Sequence, residues 1–524
     1  MNDDNDRPRV PALGRRDLLK LGAGVVLTSM TAQQASSQER GRGSRSPTPP
    51  RGSARPTGEL RPHTGPGYTN DYNRLGGNGP MDDATRAIVK FVHGYKASDM
   101  TPATIAIANR TMVDSMGAMV AGFENDAIRI TARLARQVQA TEHGLKSTVF
   151  GYGISTTPEL ASFVNSAMVR YVDFNDTPHD SNLIPAALAI GEALHSTGSD
   201  VMAAIVIGYE VMRTGSGESV APAMAAGKLM GLDEDRLANA VSLALVPHVA
   251  LNKGVGAMSM WKGCRSAEAI KCGVWAALMA REGMTGNPQP FEGRGGLWSR
   301  SGPGRWATTG LPVEPGKMAI EETWHKRFPS DQQTQGILNI MPEIRAWTRA
   351  DEIEAIQYDL TYGNWQEVAG NAKWDPRNHD TADHSLPYVL ARNLIDGETY
   401  LNAFEDEKLP YRDPEIKALM DKMTFGPVKD WEGNGTARLT IRKKTGEVRF
   451  FDTHGGVRNA TPDDYLRRMT DDDVTAKFVR VCAFRQVADT QRDRALKQWW
   501  NLGAIKDIAE PMRTLATFGK PKPL

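Results

Sequence analysis

Helical periodicity runs from Asp83 to about residue 310, and it restricts that stretch to an all-helical domain before any other feature is weighed. Ile88, Phe91, Val92 and Tyr95 fall on one helical face. Thr101-Pro102 then supplies a side-chain N-cap and a proline whose missing N–H the first turn does not need. Behind it Ile105, Ala108, Met112, Met116 and Met119 make an apolar stripe, which reads as core packing. Thr157-Pro158-Glu159 repeats the start signal ahead of Leu160, Phe163, Val164 and Met168. Further helices are expected at about 184–196, 199–214, 221–230, 234–246 and 263–283, with no strand pattern between them.

Beyond that domain the period changes. Ile356, Tyr358, Leu360 and Tyr362 alternate as a half-buried strand does. Leu439-Thr440-Ile441 and Val448-Arg449-Phe450 flank Lys443-Lys444-Thr445-Gly446 as the arms of a β-hairpin. Residues 329–348, 384–396 and 413–423 read as helices, and Thr470-Asp471-Asp472-Asp473 reads as a capping box before the C-terminal helices. The expected fold class is mainly α: a large all-helical domain over 82–312, a smaller α/β domain over 313–460, and a C-terminal helical segment over 461–524 that returns to the helical domain. A chain of 524 residues has the length for two such domains.

The N-terminus is of another kind. Arg15-Arg16-Asp17-Leu18-Leu19-Lys20 leads into a modest apolar run, Leu21 to Leu27, followed by small residues. A twin arginine before a weakly hydrophobic stretch is the address of the Tat export route. Residues 1–35 are therefore expected to be a Tat signal peptide that engages the Tat translocase, with the mature protein periplasmic or extracellular. The apolar run is short for a membrane span, so no stable insertion is expected after cleavage. Residues 36–81, rich in Pro, Arg, Ser and Gly, read as a disordered linker.

Composition narrows the function. Lys+Arg at 63 against Asp+Glu at 62 leaves a formal charge of +1, which gives no reason to expect a nucleic-acid partner. The three cysteines, Cys264, Cys272 and Cys482, cannot supply a cubane iron–sulfur cluster or a paired-Cys zinc site. Cys264 and Cys272 stand too far apart along one helix for a disulfide. No G-x-S-x-G elbow and no glycine-rich phosphate loop is present.

Three polar segments remain. Asp173-Phe174-Asn175-Asp176-Thr177-Pro178-His179-Asp180-Ser181-Asn182 joins two otherwise apolar helices, with more polar groups than capping requires. Lys262 and Arg265 sit at the start of an apolar helix, where cations oppose the helix dipole and therefore need another purpose, such as binding a carboxylate. Asp380-Thr381-Ala382-Asp383-His384-Ser385-Leu386-Pro387-Tyr388 opens a third helix; His379 and His384 lack the second ligand pair a zinc site would need.

These blocks resemble the signature of the MmgE/PrpD family. Asp173-Phe174-Asn175-Asp176-Thr177, Trp261-Lys262, Gly286-Asn287-Pro288-Gln289, Phe328-Pro329-Ser330-Asp331 and Thr381-Ala382-Asp383-His384-Ser385-Leu386-Pro387-Tyr388 occur in the family's order between about 82 and 510. The family includes 2-methylcitrate dehydratase, cis-aconitate decarboxylase and an iminodisuccinate epimerase. The resemblance implies a helical domain under an α/β lid, a homodimer, no cofactor and no metal. It implies a dehydratase-type lyase acting on a small hydroxy- or unsaturated polycarboxylic acid. Epimerase or decarboxylase chemistry, or a non-catalytic exported carboxylate-binding protein, stands as the alternative. By resemblance, Asp173, His179, Lys262 and Tyr388 would be catalytic and Thr177 would bind substrate. Arg265, beside Lys262, is inferred from its own position to help bind the substrate carboxylate, and His384 is expected on the substrate-binding side as a support on the Tyr388 helix. Gln332-Gln333 stands where relatives carry a histidine, which makes Gln333 a candidate substrate contact. The loop from Arg213 to Ser219 is shorter than theirs and lacks a second family histidine.

Overall fold

In the computed structural model the described residues are 81–248, 257–293, 295–304, 306–428, 437–452 and 468–524. The twin-arginine segment and nearly all of the expected linker lie outside them. Helices α1 (Asp83–Gly94), α2 (Pro102–Gly122), α3 (Asp126–Arg136) and α4 (Pro158–Tyr171) come first, with a short hairpin of β1 (Ser147–Val149) and β2 (Ile154–Thr156) before α4. That hairpin corrects the expectation of an unbroken helical domain. Its strands pair antiparallel, Ser147 opposite Thr156, and three residues are too few for an alternating pattern to register. Then follow α5 (Ile184–Leu194), α6 (Gly198–Arg213), α7 (Val220–Leu229), α8 (Glu234–Leu245) and α9 (Trp261–Arg281).

Thr101 caps α2 by accepting from the Thr104 amide, as the sequence indicates. Gly122, at the end of α2, lets it approach α4 closely: a Cβ there would stand 2.1 Å from the Met168 carbonyl oxygen. Gly122→Ala must push the two helices apart, with an expected loss of about 1–3 kcal/mol. Urea unfolding checks this, with Gly94→Ala as the control because nothing lies within 4 Å of its Cβ position; an unchanged midpoint for Gly122→Ala contradicts the close contact.

A second hydrophobic core forms around a four-stranded sheet. Its elements are α10 (Gln335–Trp347), β3 (Ile353–Thr361), α11 (Tyr362–Ala369), α12 (Leu386–Asp396), α13 (Pro414–Met420), β4 (Met423–Val428), β5 (Ala437–Lys443) and β6 (Val448–Asp452). The strand order is β4-β3-β5-β6, with β3 and β4 parallel and the other pairs antiparallel. Ile356, Tyr358 and Leu360 turn inward together, as their alternation requires, and Tyr358 stacks on Phe425 of β4 at 5.0 Å. Tyr362 opens α11 and does not extend the strand.

The C-terminal helices α14 (Asp471–Phe484) and α15 (Asp489–Trp500) bury Val474, Phe478, Val481, Cys482 and Trp499 in the core of the first helices. Thr470 and Asp473 form the capping box read from the sequence. All three cysteines are free. Among the described residues no helix is long and apolar enough to cross a membrane.

Candidate functional site

Asp173 follows α4 with φ 52°, and His179 has φ 85°, both in the left-handed region that disfavours a side chain. Such conformations persist only where the surroundings over-determine them. Here the fastening is electrostatic. Arg170, one turn earlier in α4, pairs with one Asp173 oxygen, and Lys326 Nζ lies 3.0 Å from the other and 3.2 Å from the Asp173 carbonyl. Burial alone would push the Asp173 carboxyl up; Arg170, Lys326 and Lys262 outweigh it and hold it well below the usual carboxylate range. Asp173 is therefore a fixed anion and has no proton to give near neutral pH.

The rest of the segment holds its own shape. Asp176 accepts from Ser181 and from the Tyr209 hydroxyl at 2.8 Å, and Asn175 donates to Ser181 Oγ at 2.9 Å. Lys477 of α14 reaches in from the C-terminal helices, pairing with Asp114 at 2.7 Å and donating to the carbonyls of Phe174 and Lys326 at 2.6 and 3.0 Å. That single ammonium locks together the two segments that present Asp173 and Lys326.

Lys262, in the first turn of α9, is 2% exposed, and its ammonium pairs with Asp383. His384 Nδ1 lies 2.8 Å from the other Asp383 oxygen, and its Nε2 is 3.3 Å from Asp331. Backbone contacts assemble the group: Asp331 N donates to the Asp383 carbonyl, and Met258 N to Thr381 Oγ1. Burial raises the Asp383 carboxyl, but Lys262 and His384 more than reverse this and hold it low. Burial, followed by Lys262, lowers His384 against the pull of Asp383 and Asp331. His379 is lowered to about 4, by burial first and by Lys262 against the pull of Asp383.

Asp173, Asp331 and His384 bring ligand atoms within 4.8 Å of one another, a donor set a divalent ion could use. The field there does not suit one. Arg170 and Lys326 already neutralise Asp173, and Lys262 stands on the far side of Asp383.

Two openings flank this buried charge cluster. One is a cavity of about 220 Å³ lined by Arg170, His179, Asp180, Glu218, Lys262 and Arg265, among others. Arg265 is ion-paired to Glu218 at 2.6 Å, and His179 Nε2 is 3.8 Å from Asp173. The other is a wider cleft of about 700 Å³ whose walls include Tyr171 and His379, stacked at 5.2 Å, with His379 3.7 Å from Asp383.

Of the residues singled out in the sequence, the structure gathers Asp173, His179, Lys262, Arg265 and His384 in and behind the smaller cavity. The remaining three lie elsewhere. Thr177 donates to Gln332, Gln333 donates to Glu367 at 3.1 Å, and neither lines the cavity. Tyr388, expected to be catalytic, does not line the cavity either: its hydroxyl is buried in the second core, donating toward the carbonyls of Ala403 and Lys408. Tyr388→Phe should therefore lower stability by about 1–2 kcal/mol through the lost hydrogen bonds. It should leave the affinity for citrate, used as a carboxylate probe, unchanged by calorimetric titration; a tenfold loss of affinity would return Tyr388 to the site. Arg170, Lys326, Asp331 and Asp383 were not selected from the sequence, although Asp331 and Asp383 stand inside the blocks quoted there.

Residues 86–307 match the model of the MmgE/PrpD N-terminal domain, and residues 328–502 that of the MmgE/PrpD C-terminal domain. The chain is 24% identical to cis-aconitate decarboxylase of Homo sapiens over 381 residues, 66% of this chain and 76% of that protein. It is 24% identical to 2-methylcitrate dehydratase of Salmonella typhi over 415 residues, 69% of this chain and 83% of that protein. With cis-aconitate decarboxylase of Aspergillus terreus it shares 23% identity over 379 residues, 61% of this chain and 75% of that one.

Proposed function

Because the chain belongs to the MmgE/PrpD family, we propose that it is a lyase that abstracts a proton beside a carboxylate of a small hydroxy- or unsaturated polycarboxylic acid. The observation that carries this reading is the cavity of about 220 Å³ at Lys262. It falls below the roughly 300–1,000 Å³ of pockets for drug-sized ligands, so it suits a small acid. Three of its lining groups, Arg170, Lys262 and Arg265, are cations. Proton abstraction next to a carboxylate builds negative charge on the substrate, and preorganised cations in a water-poor site favour that state over the starting acid.

In this reading Lys262 holds and polarises a substrate carboxylate, with Arg265 at the rim. His179 is the proton carrier, since its reference pKa lies nearest neutrality. Asp173, fixed as an anion 3.8 Å away, orients that imidazole and steadies its protonated form. A dehydratase and a decarboxylase, the activities named for the relatives, each leave an electron pair on a carbon of the acid, the first by losing a proton and the second by losing carbon dioxide, and the same cations would stabilise that charge.

The test is turnover of di- and tricarboxylates by the purified protein, followed as formation of a conjugated alkene and as released carbon dioxide. His179→Gln should reduce the rate about 100- to 10,000-fold, the usual contribution of a positioned proton carrier. Tight binding across the panel with no bond broken in any compound would leave a carboxylate-binding protein in place of the enzyme.

A further inference from the structure

Asp180 opens a single turn of 3-10 helix, Asp180–Leu183, directly after the left-handed His179. It is 6% exposed and lines the same cavity as His179, Lys262 and Arg265. The other ionisable groups around that cavity have partners: Arg170 with Asp173, Lys262 with Asp383, Arg265 with Glu218, and His179 near Asp173. Among the described residues, no hydrogen bond or ion pair reaches the Asp180 carboxyl.

We propose that Asp180, carrying its proton, is the acid that protonates the leaving hydroxyl when a β-hydroxy polycarboxylate is dehydrated in this cavity, an inference that rests on the lyase reading above. The base takes the proton from the carbon next to a substrate carboxylate, and that electron pair becomes the second bond of the alkene. The C–O bond breaks onto the hydroxyl oxygen, which takes the Asp180 proton and leaves as water. Asp180 is left as a carboxylate, and the proton held by the base returns to it through solvent. The division of labour follows from the surroundings: Asp173, held ionised, cannot donate, whereas Asp180 is buried, no ion pair among the described residues reaches it, and the nearby Arg213 charge does not outweigh its burial.

The groups facing Asp180 come from every side. They are Arg170 of α4, Arg213 of α6, Glu218 of the loop before α7, Lys262 and Arg265 of α9, and Asp176 and His179 of its own loop. Burial pushes the Asp180 carboxyl up to about 7, with Asp176 and Glu218 adding to it and Arg213 opposing. The protonated form is present below that value and is lost as pH rises through it, so the dehydration rate should fall on the alkaline side.

Two measurements test the proposal, and one needs no substrate. Infrared titration of the free protein between pH 4 and 9, compared with Asp180→Asn, should show one carboxyl band that titrates near neutrality and disappears in the variant. A band lost only from the ordinary carboxylate range overturns the proposal whatever the activity. On a compound the wild type dehydrates, Asp180→Asn should cut alkene formation by about 100-fold or more while proton exchange at the carbon continues. Asp180→Glu should recover part of the rate with a displaced alkaline limb. Full dehydration by Asp180→Asn also overturns the proposal. Absence of any wild-type turnover sinks the lyase reading instead, and the infrared titration then decides the state of Asp180 on its own.

Discussion

Replacing Lys262 by Ala is expected to end turnover and to remove a large part of the fold's stability at the same time. The ammonium and its partner Asp383 are both buried, and His384 leans on the other Asp383 oxygen. Deleting one member leaves a buried carboxylate without its counter-charge, a loss of about 3–5 kcal/mol. The two effects can be separated. Lys262→Met with Asp383→Leu removes both charges at similar volume, and such replacements are often neutral or stabilising. The double variant should therefore unfold at a urea concentration close to the wild type while remaining inactive. Turnover in the double variant would show that Lys262 serves only the fold; a midpoint as low as that of Lys262→Ala would show that the pair is not the source of the instability.

Acid should act on the same cluster with a particular profile. Buried histidines lose stability as pH falls from about 6.5, because the unfolded chain takes up protons that the folded one refuses. His379, lowered to about 4, and His325, lowered to about 3, contribute in this sense, both chiefly through burial. Carboxyls raised in the fold act oppositely over the same interval: burial lifts Asp176 and Asp380 to about 6 and Asp180 to about 7, so each gains stability as pH falls through those values. Between pH 7 and 4 the two sets offset. Below the unfolded carboxylate value of about 4, Asp173 and Asp383 remain ionised in the fold, and their contribution is lost as pH falls through their folded values. A tenfold tighter hold on the ionised form is worth about 1.4 kcal/mol for each carboxyl. Urea midpoints should be nearly level from pH 7 to 4 and fall steeply beneath it; an even decline from pH 7 would contradict the low values of Asp173 and Asp383.

The helical part of this protein was legible because its signals are local. Thr101-Pro102 and the Thr470–Asp473 box are read within one turn, and the alternation from Ile356 to Leu360 within one strand. The candidate site was legible in outline for the same reason, since Asp173, His179, Lys262 and His384, which the structure brings together, stand in unusually polar runs. What the sequence hid is pairing across distance. Lys262 meets Asp383 across 121 positions and Lys326 meets Asp173 across 153, and no periodicity reports either contact. Arg170 was hidden for another cause: at the end of an apolar helix it reads as a cation favoured by the dipole. The place of Tyr388 in a family block says nothing of where its hydroxyl points, and in the structure carbonyls of the second core accept from it. His384, ranked as a support, does join the charge cluster through Asp383 and Asp331.

The most direct measurement of the central claim is proton exchange at carbon. Purified protein is incubated in deuterated buffer with a panel of small di- and tricarboxylates, and proton magnetic resonance follows the hydrogens next to each carboxylate. The site built around Lys262, His179 and Asp173 predicts loss of one such signal in at least one compound. It also predicts no loss with the folded Lys262→Met, Asp383→Leu variant. Unchanged signals in every compound with the wild type, or equal exchange by the double variant, would contradict it.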